Sequence, residues 1–182
     1  LSLRKSPPVP RTRLERDSLG TVRVPATAYY GSQTQRAVEN FPISGLRVQP
    51  EMVRAFALIK KASAQANAQL RLLPAAHARA IVRAADEVLA GKLSDQFVVD
   101  VYQAGAGTSL NMNMNEVLAN RANQLLGRRL GTYVPLHPND HVNMGQSTND
   151  TFPTAMRLAA LMSLAPLVDA MEQLEGSLAR KA

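Results

Sequence analysis

Gly105-Ala106-Gly107-Thr108-Ser109-Leu110-Asn111-Met112-Asn113-Met114-Asn115-Glu116 is the stretch on which the reading of this chain turns. Its glycines let backbone approach a ligand closely, and the hydroxyls of Thr108 and Ser109 follow at the start of a helical pattern. The free N–H groups of that first turn make an anion-binding geometry. A second stretch, Gln146-Ser147-Thr148-Asn149-Asp150, repeats the chemistry with two hydroxyls and an amide. Asp150 is placed there as the N-cap of another helix with Pro153 in its first turn. Two hydroxyl-lined helix starts predict a small dicarboxylate as ligand.

The helix expected over about residues 111–126 is polar along Asn113, Glu116, Asn120 and Asn123, apolar along Met114, Leu118, Ala122 and Leu125, and stopped by Gly127. Asparagine is a poor helix former, so four on one helix require a buried and satisfied hydrogen-bond network. Such a network either orients a ligand site or is structural alone. His137-Pro138-Asn139-Asp140-His141-Val142-Asn143 reads as a loop of turn formers. Its two histidines and carboxylate raise the question of a metal, but Pro138 and Asn139 break the helix-face or strand spacing that a ligand pair uses, so no metal site is expected.

Upstream, Thr21-Val22-Arg23-Val24 predicts a small strand or hairpin, and a polar turn leads into a short helix around Ala37 to Asn40. Arg36 suits a carboxylate ligand or a helix-packing role. Pro50 opens a helix with Val53, Phe56, Ile59, Ser63, Ala66 and Leu70 inward and Lys60, Lys61 and Gln65 outside. Pro74 starts its antiparallel partner, with Ile81, Ala84, Val88 and Leu89 inward and Gly91 as a left-handed cap. From Asp150 one long helix is expected to run to the C-terminus, bent at Pro166. Leu158, Leu161, Met162, Leu164, Leu167 and Val168 make it apolar nearly all round, which suits a helical bundle with more helices than this chain supplies. The chain is therefore expected to be part of a longer protein. The apolar run 158–168 is too short for a membrane span, holds Pro166 and is flanked by Arg157 and Asp169.

Composition agrees with packed helices: of 182 residues 46% are hydrophobic and only 4% aromatic. The absence of cysteine excludes a disulfide scaffold, a thiol nucleophile and a Cys-ligated zinc. The net charge of +7 invites a nucleic-acid reading, yet Arg4, Lys5, Arg11, Arg13 and Arg16 account for most of it against Glu15 alone. The remainder has no basic run interleaved with aromatics, so no nucleic-acid partner is expected. Residues 1–14 are read as a disordered basic tail.

With Ala28-Tyr29-Tyr30-Gly31, Glu39-Asn40-Phe41 and Asp95-Gln96-Phe97 added in order to the motifs above, the chain from about Glu15 to Ala182 resembles the fumarase/aspartase superfamily. That resemblance implies a mainly α fold, with residues 15–146 an N-terminal lyase domain and 147–182 the start of an incomplete central helical-bundle domain. It further implies a cytoplasmic homotetramer with active sites that each draw on three subunits, no membrane partner and no cofactor. A divalent metal activator would leave no readable signature. The family eliminates a group anti across a carbon–carbon bond next to a carboxylate, through an enediolate-like intermediate.

Carried over by the resemblance, Thr108, Ser147 and Thr148 would hold the β-carboxylate, and Asn149 with Thr108 would contact the amino group. Ser109, Asn111, His137, Asn139 and Asp140 are secondary candidates, and in some fumarases the loop equivalent to 137–140 forms a second, non-catalytic dicarboxylate site. The family's base, a serine in a Gly-Ser-Ser-x-Met-Pro-x-Lys-x-Asn loop, and its Thr-His pair are expected beyond residue 182, so no catalytic residue is assigned and the chain alone is expected to be inactive. Class II fumarases typically read Gly-Ser-Gly-Thr-Gln and Gln-Ser-Ser-Asn-Asp, whereas Ala106, Ser109 and Thr148 here match the aspartate ammonia-lyase branch. Asn111 to Ala122 and Phe152 to Met156 resemble fumarases as much. A non-catalytic helical fragment remains the alternative of another class.

Overall fold

Alternating Val22 and Val24 fold inward in a β-hairpin that starts the computed structural model, which describes residues 11–181. Strand β1 (Thr12–Asp17) pairs antiparallel with β2 (Gly20–Pro25) in the register Asp17↔Gly20 to Thr12↔Pro25. Residues 12–14 are thus strand, not tail, because their backbone groups have β2 to pair with, and the Arg11 carbonyl before them accepts from Ala26 N (2.8 Å); residues 1–10 of the expected tail lie outside the described residues. Five α-helices follow: α1 (Ser32–Asn40), α2 (Pro50–Gln69), α3 (Ala75–Leu89), α4 (Thr108–Leu125) and α5 (Thr148–Ala179). The described chain is mainly α, as expected.

Helix α4 is the axis of the fold. Residues 109–120 are buried on every side, and Leu110, Met114, Val117 and Leu118 enter a core with Phe56 of α2 and Ile81, Ala84 and Val88 of α3. Each fully buried large apolar side chain of this kind stabilises by about 1.5–3 kcal/mol. The two expected glycine stops hold: Gly91 (φ 78°) and Gly127 (φ 75°) are left-handed just past α3 and α4.

The amide-rich face of α4 proves to be a bracket for backbone. Asn113 accepts from Val98 N (3.0 Å) and donates to Gln96 O (2.9 Å). Asn123 does the same with Leu136 N (3.0 Å) and O (2.7 Å), while Asn120 joins Gly131 N to Tyr29 O. Glu116 reaches the start of α1, where its carboxylate accepts from Gly31 N (2.9 Å), Gln33 N (2.9 Å) and Thr34 N (3.0 Å). The remaining amide of that turn, Ser32 N, donates to Glu15 of β1 at 2.9 Å. All four orphan donors of a helix N-terminus are therefore satisfied by two distant carboxylates, which suit its positive end. Gly31 is required by proximity, since a Cβ there would lie 1.8 Å from the Tyr133 hydroxyl. Arg36 is a clamp within the fold, bound to Asp17 through Nε (2.8 Å) and a terminal nitrogen (3.0 Å).

Two helices depart from expectation. The buried stripe of α2 runs through Phe56, Lys60 and Ala64, so Lys60 is fully buried while Ala66 and Leu70 are exposed. Periodicity placed Lys60 outside because it weighs hydropathy, whereas spacing of four puts it on the face that Phe56 occupies. Helix α5 starts at Thr148, and its N-cap is Ser147, whose Oγ accepts from Asn149 N; Pro153 and Pro166 both lie inside the helix. The first turns of α5 bury Thr151 and Ala155, but Leu161, Leu164, Leu167, Met171, Leu174 and Leu178 are exposed. By length and composition alone it could cross a membrane, one 18-residue window within it having a mean hydropathy of 1.3.

Candidate carboxylate-binding site

Both polar stretches become helix N-termini side by side. Gly107 is the N-cap of α4 at φ 80°, and a Cβ there would lie 1.9 Å from the Phe152 ring of α5. Bare backbone therefore lets the first turn of α5 close on the Gly105–Thr108 turn. In α4 the Leu110 N–H is taken by Gln103 Oε1 (2.7 Å), and the Thr108 and Ser109 N–H groups have no partner among the described residues. Thr108 is exposed and its hydroxyl makes no hydrogen bond there; Ser109 is buried. At α5, Ser147 and Asn149 are exposed, Thr148 is half-buried, and the Thr148 N–H is free in the same sense.

The join between the two stretches is Asn111, whose Nδ2 donates to Thr148 Oγ1 at 3.0 Å. Behind it lies a polar cluster. Lys60 Nζ donates to Asn111 Oδ1 (2.7 Å), Asn143 Oδ1 (2.9 Å) and Gln146 Oε1 (2.9 Å). Asn143 Oδ1 also accepts from Asn111 Nδ2 and Asn115 Nδ2, each at 3.2 Å, and Asn115 Oδ1 is buried without a partner. No carboxylate pairs with Lys60 among the described residues. Burial pushes its pKa down to about 7.

Of the expected residues, Thr148 and Asn111 are brought into contact, with Ser147 and Asn149 beside Thr148 on the same helix start and Thr108 three residues before Asn111. Asn139 and Asp140 lie on a π-helical turn, Pro138–Val142, that His137 caps and that precedes Asn143. His137 Nδ1 lies within reach of Asn139 N (3.3 Å), Asp140 N (3.4 Å) and the Asp140 carboxylate (3.3 Å), so these three residues bond chiefly to one another. Among the described residues no group of three or more His, Asp or Glu side chains is arranged to hold a metal ion. Sequence reasoning missed Lys60 and the role of Asn143 and Gln146; the available signal was Lys60 standing four residues from Phe56 on one side and Ala64 on the other.

The residues from 20 to 182 match the Lyase family. The chain is 56% identical over 173 residues to the aspartate ammonia-lyase of Escherichia coli (strain K12), covering 93% of this chain and 36% of that protein. It is 60% identical over 152 residues to a class II fumarate hydratase of Halobacterium salinarum, covering 84% of this chain and 32% of that protein. The crystal structure of a fumarate lyase:delta crystallin from Brucella melitensis superposes with a TM-score of 0.88 at 55% identity, covering 90% of this chain and 39% of that one. The chain thus spans about a third of the length of the curated relatives it matches. Fold, motif order and relatives agree, and the chain belongs to the Lyase family, within the superfamily that holds the aspartate ammonia-lyases and the class II fumarate hydratases.

Proposed function

We infer that this chain supplies the carboxylate-binding part of an ammonia-lyase that reversibly and anti-eliminates ammonia from L-aspartate to give fumarate. The observation that carries this is the Asn111–Thr148 hydrogen bond, which fastens two helix N-termini into one shelf of free N–H groups and hydroxyls. Thr108, Ser147 and Thr148 grip the β-carboxylate, where negative charge grows as the adjacent proton leaves, and Asn149 with Thr108 meets the amino group. Fixed donors stabilise that dianion without reorganising, the main electrostatic source of rate in such a reaction. The general base is assigned to none of the described residues. The exposed apolar stripe of α5 supports a homo-oligomer, a tetramer in the whole enzyme, in which residues 147–182 begin a shared bundle. The reading is cytoplasmic and needs no cofactor.

The preference for aspartate rests on Ala106, Ser109 and Thr148. A hydratase converting fumarate to L-malate is the second reading, favoured by the fumarate hydratase among the chain's relatives. The test is to give the full-length polypeptide that carries this chain L-aspartate or L-malate and follow fumarate by its ultraviolet absorbance. Fumarate from aspartate, cut about 100-fold by Thr108→Ala or Asn149→Ala with melting temperature held, is the expected result. Fumarate from malate alone overturns the substrate, and unchanged kinetics in both variants overturns the site.

A further inference from the structure

Lys60 is the buried group that the reading above leaves unused. Its ammonium, with no exposed surface, faces three amide oxygens within 2.9 Å, and among the described residues no anion neutralises it. An ammonium has three donors and no acceptor, so it orders the amides around it in one sense, oxygens inward and NH2 groups outward. Asn111 shows the consequence: its Oδ1 is held by Lys60, so its Nδ2 must point at Thr148 Oγ1. A hydroxyl oxygen that accepts there keeps its own proton for an outward acceptor. Were Asn111 turned over, its oxygen would consume the Thr148 proton and leave hydroxyl lone pairs facing the ligand, which a carboxylate would meet with repulsion.

We propose that Lys60 is a positioning residue that sets the polarity of a donor chain, from its ammonium through Asn111 to the Thr148 hydroxyl, so that Thr148 presents a proton to a substrate carboxylate. This rests on the dicarboxylate reading of the shelf. Each link strengthens the next, since hydrogen bonds in a row polarise one another where water is excluded. A positive charge behind two positive helix ends also explains why burial of the lysine is tolerated: the ligand is the counter-charge. Free of ligand, the depressed pKa of Lys60 leaves that charge costly; a bound dianion favours it.

The experiment is a double-mutant cycle on kcat/KM in the full-length enzyme, with Lys60→Met, Thr148→Val and the pair. Lys60→Met keeps the length of the stem and removes the donors. Thr148→Val is expected to lower kcat/KM about 100-fold, Lys60→Met by a similar factor, and the pair no further than either alone. A Lys60→Met enzyme with wild-type kcat/KM overturns the proposal, as does a pair whose losses multiply, because Lys60 then acts on something other than Thr148. If Lys60→Met does not fold, Asn111→Asp carries the test: the carboxylate keeps the lysine contact but has no NH2 for Thr148. It must then match Thr148→Val and add nothing to it, and full activity or multiplied losses overturn the proposal. A kinetically silent Thr148→Val instead strikes the dicarboxylate reading itself.

Discussion

Replacing Glu116 by glutamine removes one oxygen from a site built for two. In the native protein Glu116 Oε2 accepts from Gly31 N and Thr34 N, and Oε1 accepts from Gln33 N. A glutamine can leave its carbonyl where Oε2 was, but its NH2 then faces the Gln33 N–H at a separation of 2.9 Å in the native geometry, donor against donor. One charge-assisted bond, worth about 1.5–3 kcal/mol, is lost, a donor is stranded and the remaining two bonds weaken, so the cost is about 2–4 kcal/mol. For a domain of this size that lowers Tm by about 5–15 °C. The assay is urea denaturation at pH 8 followed by far-ultraviolet circular dichroism, wild type against Glu116→Gln. Burial pushes the Glu116 carboxyl up, against the hydrogen bonds from Thr34, Gln33 and Gly31 that favour its charge. A variant within about 1 kcal/mol of wild type would mean that the carboxyl is already protonated, since an amide closely imitates a neutral acid, and would refute the picture of a carboxylate capping α1.

Two further outcomes follow from burial and exposure. The pKa of Lys60 falls from 10.5 in the unfolded chain to about 7 in the folded one, so over that interval the unfolded state binds the extra proton and stability rises with pH. At about 1.4 kcal/mol per unit the rise is at most about 5 kcal/mol, and three amide oxygens reduce it; denaturation across pH 7 to 10 should show it in wild type and lack it in Lys60→Met, and identical profiles would contradict it. The α5 stripe of Leu164, Leu167, Met171 and Leu174 should drive self-association, because each buried leucine contributes about 1.5–3 kcal/mol. Sedimentation should show oligomers at micromolar concentration that Leu167→Glu with Met171→Glu dissolves, and a monomeric wild type at high micromolar concentration would refute it.

Local chemistry was legible wherever a residue speaks for its own neighbourhood. Gly91 and Gly127 could be read as helix ends because only a residue without Cβ takes a left-handed turn cheaply, and the α2–α3 hairpin followed from Pro50, Pro74 and apolar spacing. The same local reasoning misplaced the start of α5, since Ser147 and Asp150 are both good caps and which of them ends the loop depends on what the turn packs against.

By itself the sequence determined the mainly helical class, the family and the two polar stretches at helix starts, since these are written in short-range pattern and composition. Only the tertiary structure decided what the polar residues of α4 are for. Asn113, Glu116, Asn120 and Asn123 fasten segments that lie up to 91 residues away in the chain, whereas Asn111, two residues before the first of them and so on the far side of the helix, reaches Thr148 and the site. It also decided that Lys60 is inside. An ammonium is buried only where acceptors converge on it, and those acceptors come from α4 and the loop before α5, whose meeting is a property of the packed chain and of no single stretch of it.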